Sequence, residues 1–527
     1  MLDRLSRSGL LGLAASIHPM LFAAVPVLFL FAQNAEQEVT LSPLWQPLAA
    51  SVAGGLAMLL VFSAIFRDLR RGALLASALL ILFFSYGHAW NLVGGILGQR
   101  WLLAAVWIAL GFLAAGAIWF GTRWRQGKWM APTGTFLTVV GALLIVFNVV
   151  RVVNYTSASA SAAASVATEG RVALHAPATP PDVYYIILDR YAGAETLRDL
   201  YHFDNEPFLQ ELEKRGFVIA RNSWANYFKT ALSVYSSMSM APISKEKLGE
   251  TAPPYDFTRI FAAMQGHLAV PSSLKAIGYH YILLGNYWEP TAHNIDADVT
   301  LRYQESAEFS TALLATTFWS VFSPPVSDTG DDSGEATTSR DLARQTTLYT
   351  FDRLAETVDR PGPNFVFAHI LLPHPPYVFG PHGEFLTEDQ GMAETEKTKY
   401  VWQVEYANQK VLAAIDRLLS DPTDPVIVLQ ADEGAWPRAF TLDKTNFNWL
   451  TASDAQIAQK FRILNAIHLP NGIDPRSVGF NDRTSPVNEF RVVFDAVFGA
   501  DLPMLPDMTY LSPDVPHMYD FVDYPPR

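Results

Sequence analysis

Two acids, a hydroxyl and an imidazole stand where a folded sheet could bring them together. Val183-Tyr-Tyr-Ile-Ile-Leu ends in Asp189, and Val426-Ile-Val-Leu-Gln-Ala ends in Asp432-Glu433-Gly434. An apolar run of this length reads as a strand buried on both faces of a parallel sheet. Ligands of open α/β sheets bind beyond the carboxyl ends of such strands. Two strands that each end in an acid can therefore build one oxygen-rich metal site. Either aspartate alone could simply cap the helix that follows. The pair, with Glu433 attached, favours a site.

Between the two strands lie groups that could act on a substrate. Asn226-Tyr-Phe-Lys-Thr230-Ala-Leu-Ser233 puts a hydroxyl at the start of an expected helix, where backbone N–H groups and the helix dipole favour an anion. Metal coordination would lower the pKa of that hydroxyl and make it a nucleophile at neutral pH. Thr230 is the first candidate; Ser233, Ser236 and Ser237 fit the chemistry equally, and Thr230 could instead be an N-cap. His369-Ile-Leu-Leu-Pro-His374-Pro-Pro-Tyr377 places His374 in a proline-flanked turn at the same sheet edge. An imidazole held there can hydrogen-bond a phosphoryl oxygen or protonate a leaving group. His369, inside the apolar run, reads as a core histidine.

The elements that must position these groups divide by composition. The first 155 residues carry ten Lys/Arg and four Asp/Glu, and the rest carry 28 and 47, so the net charge of −13 hides a basic and a strongly acidic part. The acidic part lacks the basic stripe that nucleic acid requires, so no nucleic-acid partner is expected. Five apolar segments fill the basic part: 9–32, 44–66, 73–90, 102–120 and 136–150. Most can cross a hydrocarbon core of roughly 30 Å as a helix; the third and fifth are near the lower limit. The first is too long for a cleavable signal peptide, and four more follow.

Arg4 and Arg7, then Arg67, Arg70 and Arg71, then Arg123, Arg125 and Lys128 flank alternate ends of these segments. With about five spans the rule that basic loops stay inside puts the N-terminus in the cytoplasm and the rest outside. The expected protein is multi-pass, with its C-terminal domain on the extracytoplasmic side of the membrane. Gly54, Gly55, Gly111, Ala114, Ala115 and Gly116 would allow close helix packing. Residues 156–180, rich in Ala and Ser and ending in prolines, read as a linker or a frayed helical extension. The absence of cysteine fits an exported domain held by its core and says little more about compartment.

From 181 to 527 the pattern alternates. Helices are expected at 194–215, 230–240, 342–358 and 400–419, and strands at 183–188, 279–284, 364–371 and 426–431, with a surface loop at 327–339. This predicts an α/β domain with a mostly parallel sheet and helices on both faces.

The four chemical segments, in this order, resemble the alkaline phosphatase superfamily. They look most like its membrane-anchored branch of lipoteichoic acid synthases, phosphoethanolamine transferases and related sulfatase-like proteins. The resemblance covers the whole chain, and 278–288 and Ser485-Pro-Val-Asn488 also look like pieces of the family. It implies one divalent metal ion held by Asp189, Thr230, Asp432 and Glu433, with Thr230 as nucleophile and His374 contacting substrate. It implies a phospholipid donor, whose phosphoglycerol or phosphoethanolamine head group passes to an envelope glycan or lipid acceptor. Hydrolysis of a phosphoric or sulfuric ester on the same fold is an alternative.

One departure stands out: Asp432-Glu433-Gly434 occupies the place of an expected Asp-His-Gly. If Glu433 is a ligand, the set is all oxygen, which favours manganese or magnesium, with zinc or calcium possible. The same change raises a non-catalytic member as a further alternative. The chain has no cysteine and no serine in the Cys/Ser-x-Pro-x-Arg setting, so formylglycine-dependent sulfate hydrolysis is not expected.

Overall fold

The computed structural model describes residues 15–34, 41–97, 99–124, 128–166, 171–243, 257–266, 268–303, 307–322 and 340–526. They form two compact units: one of residues up to 158 together with 307–322, the other of 159–303 and 340–526. Residues 327–339, expected as a surface loop, lie outside the described residues.

Among the described residues, the first unit contains the apolar helices α1 (His18–Gln33), α2 (Ser42–Phe66), α3 (Leu69–Leu97), α4 (Arg100–Trp124) and, up to residue 158, α5 (Met130–Val166). A helix satisfies every backbone polar group internally, which is why uniformly apolar segments adopt it in hydrocarbon. Among the described residues, α2 to α5 contain four stretches long and apolar enough to cross a membrane. At 16 residues α1 is shorter, and residues 9–14 of the first expected segment lie outside the description. The third and fifth segments are longer than their apolar cores, 29 and 37 residues, and α5 runs on into the expected linker.

Gly55 serves close packing, since a Cβ there would lie 2.9 Å from that of Ala23. Gly54 and Gly116 do not: a Cβ at either would meet nothing within 4 Å. The segment 307–322 is an excursion that residue pattern did not mark. Its Phe309 and Leu313 are buried with Val27, Phe31, Leu44 and Leu80 of the membrane helices.

The second unit is built on a seven-stranded sheet of β1 (Val183–Leu188), β2 (Val218–Ile219), β3 (His280–Gly285), β4 (Val299–Arg302), β5 (Asn364–Ile370), β6 (Val426–Gln430) and β7 (Asn465–His468). Its order is β2-β7-β6-β1-β5-β3-β4. The run β6-β1-β5-β3-β4 is parallel, and β7 pairs antiparallel with both β6 and β2. Every residue of β1, β5 and β6 is buried, as expected of central strands covered on both faces. The sheet is mostly parallel, as the alternation predicted. The expected helix at 194–215 is two helices, Ala194–Tyr201 and Glu206–Lys214, because Pro207 restarts the chain at the first turn of the second.

Candidate active site

Strand register brings the site together. Ile187 of β1 lies opposite His369 of β5 and Gln430 of β6, so Asp189 and Asp432 leave adjacent strands at the same level. The Asp189 amide donates to the Ile370 carbonyl at 3.0 Å, and the Arg190 amide donates to Asp432 Oδ1 at 3.1 Å. Arg190 makes that turn with φ of 64°, a left-handed conformation unusual for a residue with a side chain.

Among the described residues, one ligand atom from each of Asp189, His369 and Asp432 lies within 4.8 Å of the other two. All three side chains are buried. Asp189 Oδ1, His369 Nε2 and Asp432 Oδ2 have no hydrogen-bond partner. His369 Nε2 stands 3.5 Å from Asp189 Oδ2, while its Nδ1 meets the Thr291 hydroxyl at 3.0 Å and Asn286 Nδ2 at 3.3 Å. An imidazole fixed through one nitrogen and open at the other is the usual arrangement of a metal ligand.

The two acids titrate apart. Burial pushes the Asp189 carboxyl up, but His374, the His369 ring beside it and Arg190 outweigh it and hold the group below its ordinary range. Asp432 is pushed well up, first by burial and then by the charges of Asp189 and Glu433; the Thr230 hydroxyl and the Arg190 amide pull it back in part. Two buried carboxylates this close cannot both ionise comfortably without a cation between them. The unpartnered atoms and the opposed titration both fit a divalent metal.

Thr230 is the first residue of helix α6 (Thr230–Ser239), and Lys229 is its N-cap. The alternative hydroxyls are committed elsewhere. Ser233 donates to the Tyr227 carbonyl, Ser236 to that of Ala241 and Ser237 to that of Pro486. Thr230 instead lines a pocket with Asp189, Arg190, Lys229, His374, Glu433, Trp436 and Lys460. His374 sits between two cis peptide bonds, its Nδ1 against the Pro375 carbonyl and its ring edge-on to Trp436 at 6.1 Å.

The structure places Glu433 apart from the ligand role expected of it. Its Oε1 lies 2.7 Å from Lys460 Nζ and 3.3 Å from Arg190 Nε, and accepts from Trp436 Nε1 at 2.6 Å. A carboxylate this well occupied by cations has little reason to turn to a metal. His369, expected as a core residue, offers the third atom that could hold a metal. A donor set of two carboxylates and an imidazole would not be all oxygen and would carry no bias against zinc. Only strand register marks His369, and Lys460 comes from helix α7 (Asp454–Phe461), which residue pattern did not tie to the site.

No family model matches the chain, and no curated protein matches it in sequence. Solved structures do resemble it. The C-terminal periplasmic domain of EcEptC from Escherichia coli is 14% identical over 68% of this chain and 97% of its own, with a TM-score of 0.45. The integral membrane lipooligosaccharide phosphoethanolamine transferase A of Neisseria meningitidis is 12% identical over 93% and 95%, at 0.39. A protein in the alkaline phosphatase superfamily from Vibrio parahaemolyticus is 13% identical over 67% and 81%, at 0.38. The similar structures thus include a protein of the superfamily that this chain's motifs resemble.

Proposed function

We propose that the chain is a metal-dependent phosphotransferase of the bacterial cell envelope. Its donor is a membrane phospholipid, and its acceptor is a glycan or lipid. The observation that carries this reading is the convergence of three buried, unpartnered ligand atoms near Thr230, a helix-start hydroxyl that lines the pocket with Asp189.

Asp189, Asp432 and His369 would hold the divalent cation, which supplies positive charge to the phosphoryl oxygens and to the threonine oxygen. Thr230 Oγ1 attacks phosphorus, and its proton passes toward the Asp432 carboxylate, which the hydroxyl already influences. The P–O bond to the diacylglycerol breaks, and His374 gives that oxygen a proton. The head group is left on Thr230. An acceptor hydroxyl then attacks the same phosphorus and releases the threonine, with the proton flow reversed.

The metal ion is manganese, magnesium or zinc, and the head group is phosphoglycerol or phosphoethanolamine. The outer unit lies on the extracytoplasmic side of the inner membrane, a reading supported by the basic residues that flank the apolar helices. Glu433 raised the possibility of an inactive member. Its pairing with Lys460 and Arg190 weakens that reading, because the site keeps a third ligand in His369.

The test is a mass spectrum of the full-length protein after exposure to phospholipid. A head-group adduct on Thr230 supports the proposal; turnover without an adduct refutes the nucleophile. Release of free phosphoglycerol or phosphoethanolamine with no modified acceptor would make the enzyme a hydrolase.

A further inference from the structure

The pocket around Thr230 has a cationic wall that the reaction described above does not use. Arg190, Lys229 and Lys460 line it beside Thr230 and His374. The side chains of Arg190 and Lys460 are 3% and 1% exposed, and both contact Glu433. Trp436 is their platform: the Arg190 guanidinium lies over its ring at 2.8 Å from the centroid, Lys444 at 4.2 Å and Lys460 at 5.2 Å. Indole faces attract cations, and the Trp436 N–H donates to the same Glu433 oxygen that holds Lys460.

Such a cluster is a poor device for stability alone. Buried ion pairs and triads are often replaced by apolar side chains with no loss, because desolvation offsets their attraction. Burial pulls the Lys460 ammonium down to about 8, only partly restored by Glu433, so the cost of keeping it charged is visible. Its placement makes sense as function. Guanidinium and ammonium groups are the donors that recognise phosphate oxygens, the first in bidentate geometry and the second as a point charge. Lys229, at the N-cap of α6, adds a third donor next to the nucleophile.

We propose that Arg190, Lys229 and Lys460 form a binding subsite for the anionic oxygens of a phosphate ester, and that Glu433 is the tether that holds Arg190 and Lys460 in place. This deepens the phosphotransferase reading and rests on it. It assigns Glu433 a positioning role where a metal ligand was expected. The substrate then meets fixed cations together with Asp189, the member of the Asp189–His369–Asp432 cluster that lines the same pocket.

The experiment uses full-length protein in detergent, saturated with divalent cation, with inorganic phosphate as the probe. Calorimetry reads phosphate affinity, and elemental analysis reads metal content. Lys460→Met should weaken phosphate binding about tenfold or more, the scale of a charge-assisted hydrogen bond. Lys229→Gln, at a half-buried position, should weaken it by about threefold. Glu433→Gln should keep the metal content of the wild type.

Lys460→Met leaves Glu433 with one cation fewer. If that variant does not fold, the paired Glu433→Gln/Lys460→Met removes both charges and should fold, with phosphate affinity at least as weak because Arg190 also loses its tether. Phosphate affinity unchanged in the lysine variants, or no phosphate binding by the wild type, overturns the subsite. Loss of metal in Glu433→Gln overturns the tether. Absence of head-group transfer by a wild type that binds phosphate through Lys460 would sink the transferase reading and leave the subsite standing. Transfer with lysine-independent phosphate binding would do the reverse.

Discussion

Two buried polar clusters sit on the central strands, one beneath the other along the same sheet. In the lower one, the Tyr185 hydroxyl donates to Gln430 Oε1 at 2.8 Å and meets Ser237 Oγ at 2.7 Å. Gln430 reaches Asn465 at 3.3 Å, and Asn465 in turn donates to the Thr484 carbonyl and to Glu489. Apart from Glu489 Oε2, the side-chain atoms of these residues have partners. In the upper one, at the strand ends, Asp189, His369 and Asp432 each leave a buried atom without one. A few residues of strand separate a network with one open atom, Glu489 Oε2, from a cluster with three. Buried polar atoms cost free energy unless satisfied, so an open cluster implies something that completes it.

Metal removal breaks this contrast most sharply. Asp189→Ala and Asp432→Ala should each abolish divalent-cation binding, measured by elemental analysis, and lower turnover by more than about a thousandfold. Both proteins should remain folded. Retained metal in both would mean that the upper cluster is only a second structural network.

Thr230→Ala comes next. Turnover and the covalent adduct should vanish while metal remains, because the three cluster side chains are untouched. Normal turnover would remove Thr230 from the mechanism and leave the cluster intact.

A smaller effect probes His369. Thr291→Val removes the hydroxyl that meets His369 Nδ1 and should weaken metal affinity by about ten- to a hundredfold, the range for groups that orient a ligand. Unchanged affinity would return His369 to the core role that its apolar neighbours suggest.

That histidine shows where the sequence stops being legible. Asp189 and Asp432 can be found because each ends an apolar run, a local pattern whose meaning is fixed by sheet geometry. Thr230 follows from a helix start. His369 lies inside its run, and its role depends on facing Asp189 across β1 and β5, a register that no local pattern states. Glu433 misleads for a related reason. Beside Asp432 it looks like a ligand, but its fate is set by Lys460, which arrives from α7, and by the left-handed turn at Arg190. The parallel sheet was readable from apolar runs alternating with helices. The antiparallel β7, at four residues, was too short to announce itself, and the excursion 307–322 reads as ordinary outer-domain chain.

The mildest prediction sharpens the comparison from the closed side. Glu489 is fully buried, and burial pushes its carboxyl up to about 8, with Asp507 adding to the rise and an Asn465 hydrogen bond opposing it. In the unfolded chain the group titrates near 4.5. Between these values the folded protein holds a proton that the unfolded chain has lost. Its contribution to stability is therefore complete below about 4.5 and fades as pH rises toward 8. Glutamine mimics the protonated acid in shape and carries no charge to desolvate. Glu489→Gln should melt within a degree or two of wild type at acid pH, since one kcal/mol moves Tm by only about 2–4 °C in a domain this large. Above pH 8 the variant should melt higher than wild type, by several degrees, because only the wild type must bury an ionised carboxylate or keep its proton against the solution. Melting curves of the two proteins that run parallel across this pH range would show that Glu489 is not held neutral. The lower cluster would then be as charged as the upper one, and the contrast between a closed network and an open site would lose its basis.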